Sequence, residues 1–168
     1  MMYSSAVFNN PTQSLTDAAI NKLDSICQQL QLQPADHLIE IGTGWGGMAI
    51  YAAKKYGCRV TTTTISQQQY DFAKQRIEKE GLSDRITLLL QDYRELKGSF
   101  DKLVSIEMIE AVGAEFQQIY FETCDRLLKP GGRALIQAIT ISESIYEQYL
   151  NDTDFIRQYI FPGGCLPT

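Results

Sequence analysis

A chain of 168 residues with 44% hydrophobic and 21% charged side chains has room for one folded domain with a sizeable core. Its net charge of -5, from 15 Lys plus Arg against 20 Asp plus Glu, argues against nucleic acid as the main partner, because phosphate binding takes clustered cations. The same sign gives no help at an anionic membrane surface.

Strand and helix signals alternate along the chain. Apolar residues at Leu15, Ala19, Leu23, Ile26, Cys27 and Leu30 recur at helical spacing, with Ser14 placed to cap the helix start. His37 to Ile41 reads as a short buried strand, followed by Gly42-Thr43-Gly44-Trp45-Gly46-Gly47 and a helix from Met48 to Tyr56 that stops at Gly57. The β-branched run Arg59 to Thr64 predicts strand two, and Ser66 to Glu80 a helix capped by Ser66 and stopped by Gly81. Strands three and four are expected at Ile86–Leu90 and Lys102–Ile106, a helix at Phe116–Leu128, and strand five at Arg133–Ile141 after Lys129-Pro130-Gly131-Gly132. This order implies an α/β, Rossmann-like, doubly wound and mostly parallel sheet. The aromatic and apolar residues Tyr146, Tyr149, Phe155, Ile156, Tyr159, Ile160 and Phe161 stand at helical spacing and read mainly as core. The loop-like Phe161-Pro162-Gly163-Gly164 so close to the last residue leads us to expect a fragment whose sheet lacks its last strands.

The cysteines Cys27, Cys58, Cys124 and Cys165 form no CxxC pair and read as small buried hydrophobes in a reducing compartment. With His37 the single histidine, no metal site is expected. There is neither a basic-then-apolar leader nor an apolar run near the roughly 20 residues that span a bilayer. The expected location is therefore the cytoplasm.

A glycine loop between a first strand and a helix sits where doubly wound sheets bind their ligands. The spacing of Gly42, Gly44 and Gly47 satisfies a dinucleotide fingerprint too, so the loop by itself leaves a nicotinamide cofactor and S-adenosylmethionine both open. The end of strand two separates them. It reads Thr61-Thr62-Thr63-Thr64-Ile65-Ser66, without the acid a dinucleotide ribose needs. After strand three, Gln91-Asp92-Tyr93 offers an acid and an aromatic suited to an adenine. These features favour a methyltransferase.

From Tyr3 to Pro167 the chain resembles the cyclopropane fatty acid synthase family of lipid methyltransferases. The resemblance is carried by Tyr3-Ser4-Ser5-Ala6, Glu40 to Gly47, Val60 to Gln69 with its Thr-Ile-Ser-x-x-Gln turn, and Asp92-Tyr93-Arg94. It continues through Val104 to Gly113, Leu128 to Gly132 and Tyr159 to Gly164. It implies an S-adenosylmethionine-dependent enzyme that methylates the double bond of unsaturated phospholipid acyl chains, giving cyclopropane or methyl-branched products at the membrane periphery.

By that resemblance Tyr3 and Ser4 close over the cofactor, the loop at Gly42, Gly44 and Gly46 meets its methionine part, and Thr64 and Gln69 hold the ribose. Asp92 and Tyr93 hold the adenine and Ile106 lies beside the sulfonium. The family's base is a bicarbonate held by a Glu, a Cys and a His. Glu110 matches the Glu, while Ser5 and Gln137 stand at the Cys and His positions and Ala111 replaces a further His. Ser5 and Gln137 still donate hydrogen bonds to an anion without supplying charge. Glu107 is a second candidate acid.

The resemblance divides the chain into a cofactor-covering segment (1–35), a Rossmann-like core (36–141) and the start of a substrate cover (142–168). Two other readings stay open at this stage: an N-methyltransferase of small amines on the same fold, and a non-catalytic cofactor- or lipid-binding module.

Overall fold

The computed structural model describes residues 2–153 and 155–168. Five strands form one wholly parallel sheet in the order β3-β2-β1-β4-β5. They are β1 (His37–Ile41), β2 (Arg59–Thr64), β3 (Ile86–Leu90), β4 (Phe100–Ile106) and β5 (Leu128–Gln137). The helices are α1 (Leu15–Gln29), α2 (Gly47–Tyr51), α3 (Gln67–Lys79), α4 (Gln117–Leu127) and α5 (Glu143–Asn151).

Local chemistry explains the helix limits. Ser14 Oγ accepts the Asp17 amide at 3.1 Å and Ser66 Oγ the Gln69 amide at 3.3 Å, each satisfying a donor of a first helical turn. The helix after the glycine loop changes character midway: α2 passes into a π-helical turn, Ala52–Tyr56, which ends at Gly57 with φ +72°. Glycine adopts that left-handed geometry without a Cβ clash.

The central strands β1, β2 and β4 are covered on both faces, as a parallel sheet requires. One apolar cluster joins α1, α2 and β2 through Leu23, Ile26, Met48 and Val60; the other packs α4 on β1 and β4 through Ile39, Leu103, Tyr120 and Leu127. All four cysteines are buried, and burial pushes the Cys27 thiol up to about 12 and those of Cys58 and Cys124 to about 11.

Two sequence expectations need correction. Strand five spans Leu128–Gln137 rather than Arg133–Ile141. The Lys-Pro-Gly-Gly stretch does not stop the chain but loops out between the Phe100–Leu128 and Lys102–Arg133 pairings, helped by a positive φ at Gly131. The C-terminal aromatic stretch is not core: Phe155, Ile156, Tyr159, Ile160 and Phe161 are each at least half exposed. Tyr146 and Tyr149 are half-buried. Among the described residues no helix is long and apolar enough to cross a membrane.

Candidate active site

Strand order reverses at β1, whose neighbours β2 and β4 are reached by crossovers on opposite faces, and a crevice opens at their carboxyl ends. A cleft of about 480 Å³ lies there, a size suited to a small-molecule ligand. Its floor is the glycine loop, pinned by the Gly42 and Thr43 amides, which donate to the Thr63 carbonyl at 3.2 and 2.9 Å. Gly42 and Gly44 line the cleft at φ +100° and +51°. Gly46 does not: a Cβ there would stand 3.2 Å from Ala73 Cβ, so its bareness lets α3 close on the loop.

The β2 wall is a chain of neutral hydrogen bonds. Thr64 Oγ1 donates to Gln69 Oε1 at 2.7 Å, and Gln69 Nε2 donates to Tyr3 Oη at 2.7 Å. Tyr3 thereby straps the N-terminal segment over the cleft and meets the edge of Trp45 at a centroid distance of 6.3 Å. Beneath the loop, Thr62 Oγ1 donates to Glu40 at 2.6 Å and shares a 2.7 Å hydrogen bond with Thr43. Burial outweighs the Thr62 hydrogen bond and pushes the Glu40 carboxyl up to about 8.

Asp92 and Tyr93 line the cleft beyond β3. Asp92 is engaged by its own loop: Arg94 grips it through both carboxylate oxygens, at 3.0 and 2.6 Å, and this bond holds its carboxyl below the usual range. Ile106, the last residue of β4, faces the cleft and stands in register with Gln137.

At the β4 end the structure brings Ser5 and Gln137 together, but around Glu107. Glu107 Oε1 accepts from the Ser5 amide at 2.9 Å, Ser5 Oγ at 2.7 Å and Gln137 Nε2 at 2.7 Å. Gln137 Nε2 also reaches Ser5 Oγ at 3.0 Å. Burial raises the Glu107 carboxyl, yet the hydrogen bonds from Ser5 and Gln137 and the charge of Lys22 bring it below its ordinary value. Glu107 lines the cleft with φ +49°, a left-handed backbone that a residue with a Cβ adopts only at a cost.

Glu110 stands apart, outside the cleft lining. Its Oε1 accepts the Ile139 amide at 2.6 Å, its backbone carbonyl accepts the Cys165 amide at 2.7 Å, and its Oε2 is buried without a hydrogen-bond partner.

Lys22 escaped sequence reasoning. It is 2% exposed on α1, hydrogen-bonded to Ser4 Oγ, and burial lowers its affinity for a proton against the opposing pull of Glu107. The signal was present: Lys22 interrupts the apolar stripe formed by Ala18, Leu23, Ile26 and Cys27. Tyr3, Ser4 and Ser5 are thus three consecutive residues tied to α3, α1 and the end of β4 in turn.

The sequence pattern described as mycolic acid cyclopropane synthetase matches residues 1–168. The cyclopropane-fatty-acyl-phospholipid synthase of Escherichia coli (strain K12) is 42% identical over 168 residues, covering 100% of this chain and 42% of that protein. The tuberculostearic acid methyltransferase UfaA1 of Mycobacterium tuberculosis is 38% identical over 175 residues, covering 100% of this chain and 41% of its own length. The chain therefore spans about two fifths of the length of these relatives. Among solved structures, mycolic acid cyclopropane synthase CmaA1 complexed with SAH and CTAB superposes with a TM-score of 0.89 at 30% identity, over 99% of this chain and 62% of that one. The fold is that of the class I methyltransferases, and the chain belongs to the mycolic acid cyclopropane synthetase family.

Proposed function

We propose that this chain carries the cofactor site of an S-adenosylmethionine-dependent methyltransferase acting on the double bond of unsaturated lipid acyl chains. The observation that carries the reading is the strapped cleft: Tyr3 hydrogen-bonded to Gln69, and Gln69 to Thr64, over a glycine floor at the switch point. The end of β2 offers neutral hydroxyl and amide groups where a dinucleotide site offers an acid.

The residues fit the cofactor as follows. Backbone at Gly42 and Gly44 would take its amino-acid part, Thr64 and Gln69 the ribose, Asp92 and Tyr93 the adenine, and Ile106 the neighbourhood of the sulfonium. The bound group supplies an electrophilic methyl. The chain's own residues position the reactants and exclude water, because an alkene is a poor nucleophile and gains most from alignment.

An acyl acceptor is supported by the exposed apolar stretch Phe155, Ile156, Tyr159, Ile160 and Phe161, of which Phe161 also lines the cleft. A lipid reading also accords with the names of the relatives. In this reading residues 1–35 cover the cofactor, 36–141 hold it and 142–168 begin the acyl cover, with contact at the membrane periphery.

The test has two arms. Calorimetric titration of the chain with S-adenosylhomocysteine is expected to give saturable one-to-one binding. The full-length protein is expected to transfer labelled methyl to vesicles of unsaturated phospholipid and to leave saturated vesicles unlabelled. Equal labelling of saturated lipid, or labelling of small amines alone, would overturn the acceptor assignment. Absence of binding by a folded chain would overturn the cofactor.

A further inference from the structure

We infer that Glu107 is a built-in catalytic base that takes the place of a bound bicarbonate. This deepens the reading of the cleft as a lipid methyltransferase site and rests on it. The two side chains that would hold an external anion, Ser5 and Gln137, already give their donors to a carboxylate of the chain itself. Three hydrogen bonds of 2.7 to 2.9 Å converge on Glu107 Oε1. A bicarbonate introduced there would lose those donors and face the Glu107 charge, so the residues present do not fit that group.

The carboxylate is held at the cleft by its backbone as well. The Glu107 amide donates to the Gln137 carbonyl at 2.8 Å across the ends of β4 and β5, and the strained φ of +49° persists because this frame imposes it. The charge of Lys22, itself hydrogen-bonded to Ser4, adds to the hold on the ionised form. All three of these donors bind the same oxygen, Oε1, and leave Oε2 to the other side of the carboxylate.

The step balances without a further reactant. Methyl transfer spends the alkene π pair on a new C–C bond, the S–CH3 pair stays with sulfur, and the acyl chain is left as a carbocation. Glu107 then takes a proton from the transferred methyl, and the C–H pair closes the third side of the ring. The neutral carboxyl afterwards returns that proton to solvent. A carbocation is so strong an acid that the base needs position and a negative charge more than high basicity. A carboxylate kept ionised by Ser5, Gln137 and Lys22 meets both needs.

Three measurements test this. With the full-length protein in buffer stripped of carbon dioxide, turnover on unsaturated phospholipid vesicles is expected to stay constant as bicarbonate is added. Glu107→Gln is expected to lower turnover by about 10²- to 10⁴-fold, the usual contribution of a positioned base, with S-adenosylhomocysteine affinity changed less than about 3-fold. Glu107→Gly relieves the positive φ, which offsets part of the loss of the acceptor for Ser5 and Gln137, and its fold is checked by circular dichroism. It is expected to regain turnover on addition of bicarbonate.

Native turnover that rises with bicarbonate, or Glu107→Gln that retains native turnover, would overturn the inference. A readout independent of lipid keeps it separable from the proposed function. Titration with 13C-bicarbonate followed by carbon NMR should show binding to Glu107→Gly and none to the native chain. Bicarbonate binding to the native chain would refute the built-in base, whereas lack of methyl transfer by the native protein would refute the acceptor assignment instead.

Discussion

The two walls of the cleft are built on different principles. Along β2 itself the groups are neutral: Thr64, Gln69 and Tyr3 form a relay of hydrogen bonds, and the buried Glu40 carboxyl of neighbouring β1 rises to about 8, so it stays mostly protonated at neutral pH. On the β4 side the site is charged, with Glu107 kept ionised by hydrogen bonds and by a buried lysine, on a backbone bent into the left-handed region. A neutral wall suits a ligand that must be held without being altered. A charged, preorganised wall suits a step in which charge develops and is removed.

The most disruptive way to break this contrast is to disturb the floor both walls share. Gly44 has φ +51°, and a Cβ there would lie 3.8 Å from Tyr3 Oη. Gly44→Val puts a β-branched residue in a conformation it resists and a side chain under the strap. The expected loss of S-adenosylhomocysteine affinity is about 100-fold or more, near 3 kcal/mol, with the circular dichroism spectrum of a folded chain. Retained affinity would move the ligand away from the loop.

The two walls also differ in how far they were legible beforehand. On the β2 side the glycines at fixed offsets and the Ser66 cap could be read from local spacing, whereas the roles of Thr64, Gln69 and Tyr3, the last 66 residues from Gln69, came only through the resemblance. On the β4 side spacing carries no such information, because Glu107 meets Ser5 across 102 residues and Gln137 across 30; there the resemblance alone grouped Ser5 and Gln137, and it set them beside Glu110, with Glu107 only a second candidate. Glu107 and Glu110 look alike in sequence, each in an acid-bearing turn after β4. Only the fold shows that one lines the cleft and the other ties down Ile139 and Cys165. Helical spacing at Phe155 to Phe161 likewise revealed a shared face but not whether anything packs on it. The early start of β5 was hidden by a glycine-proline stretch that bulges out of the sheet edge instead of ending the strand.

The protonation contrast gives the second largest effect. Burial raises the Glu40 carboxyl from its ordinary 4.5 to about 8, so the folded chain keeps a proton that the unfolded chain releases earlier. Its contribution to stability is complete below about pH 4.5 and is lost as pH rises towards 8. Glu40→Gln keeps an acceptor for Thr62 and removes the titration. Its stability relative to the native chain is therefore expected to improve with pH by a few kcal/mol across that window, at roughly 1.4 kcal/mol per pKa unit of the shift. Denaturant melts at several pH values measure this, and a difference independent of pH would mean that Glu40 does not titrate between those limits.

Glu110→Ala sharpens the distinction between the two acids. It removes the acceptor of the Ile139 amide, and the expected cost is about 1 kcal/mol, or ~2–4 °C in Tm. Cofactor affinity and turnover should fall together and modestly, in contrast to the selective loss of turnover at Glu107. A loss of turnover as large as that of Glu107→Gln, with Tm unchanged, would return the catalytic role to Glu110.

The smallest effect tests whether the strap acts as part of the neutral wall or only covers it. Tyr3→Phe deletes the hydroxyl that accepts from Gln69 Nε2 and leaves the ring against Trp45. Tyr3 is 65% exposed, so the bond competes with water and its net worth is about 0.5–1.5 kcal/mol. The expected result is a loss of S-adenosylhomocysteine affinity of about 2- to 10-fold, with Tm nearly unchanged. Gln69→Ala should cost more, because it also breaks the link to Thr64. If the three side chains act as a relay, removing Tyr3 Oη should cost little once Gln69 is gone, so the double variant should bind about as well as Gln69→Ala alone. Losses that simply add would mean that Tyr3 covers the cleft without working through Gln69.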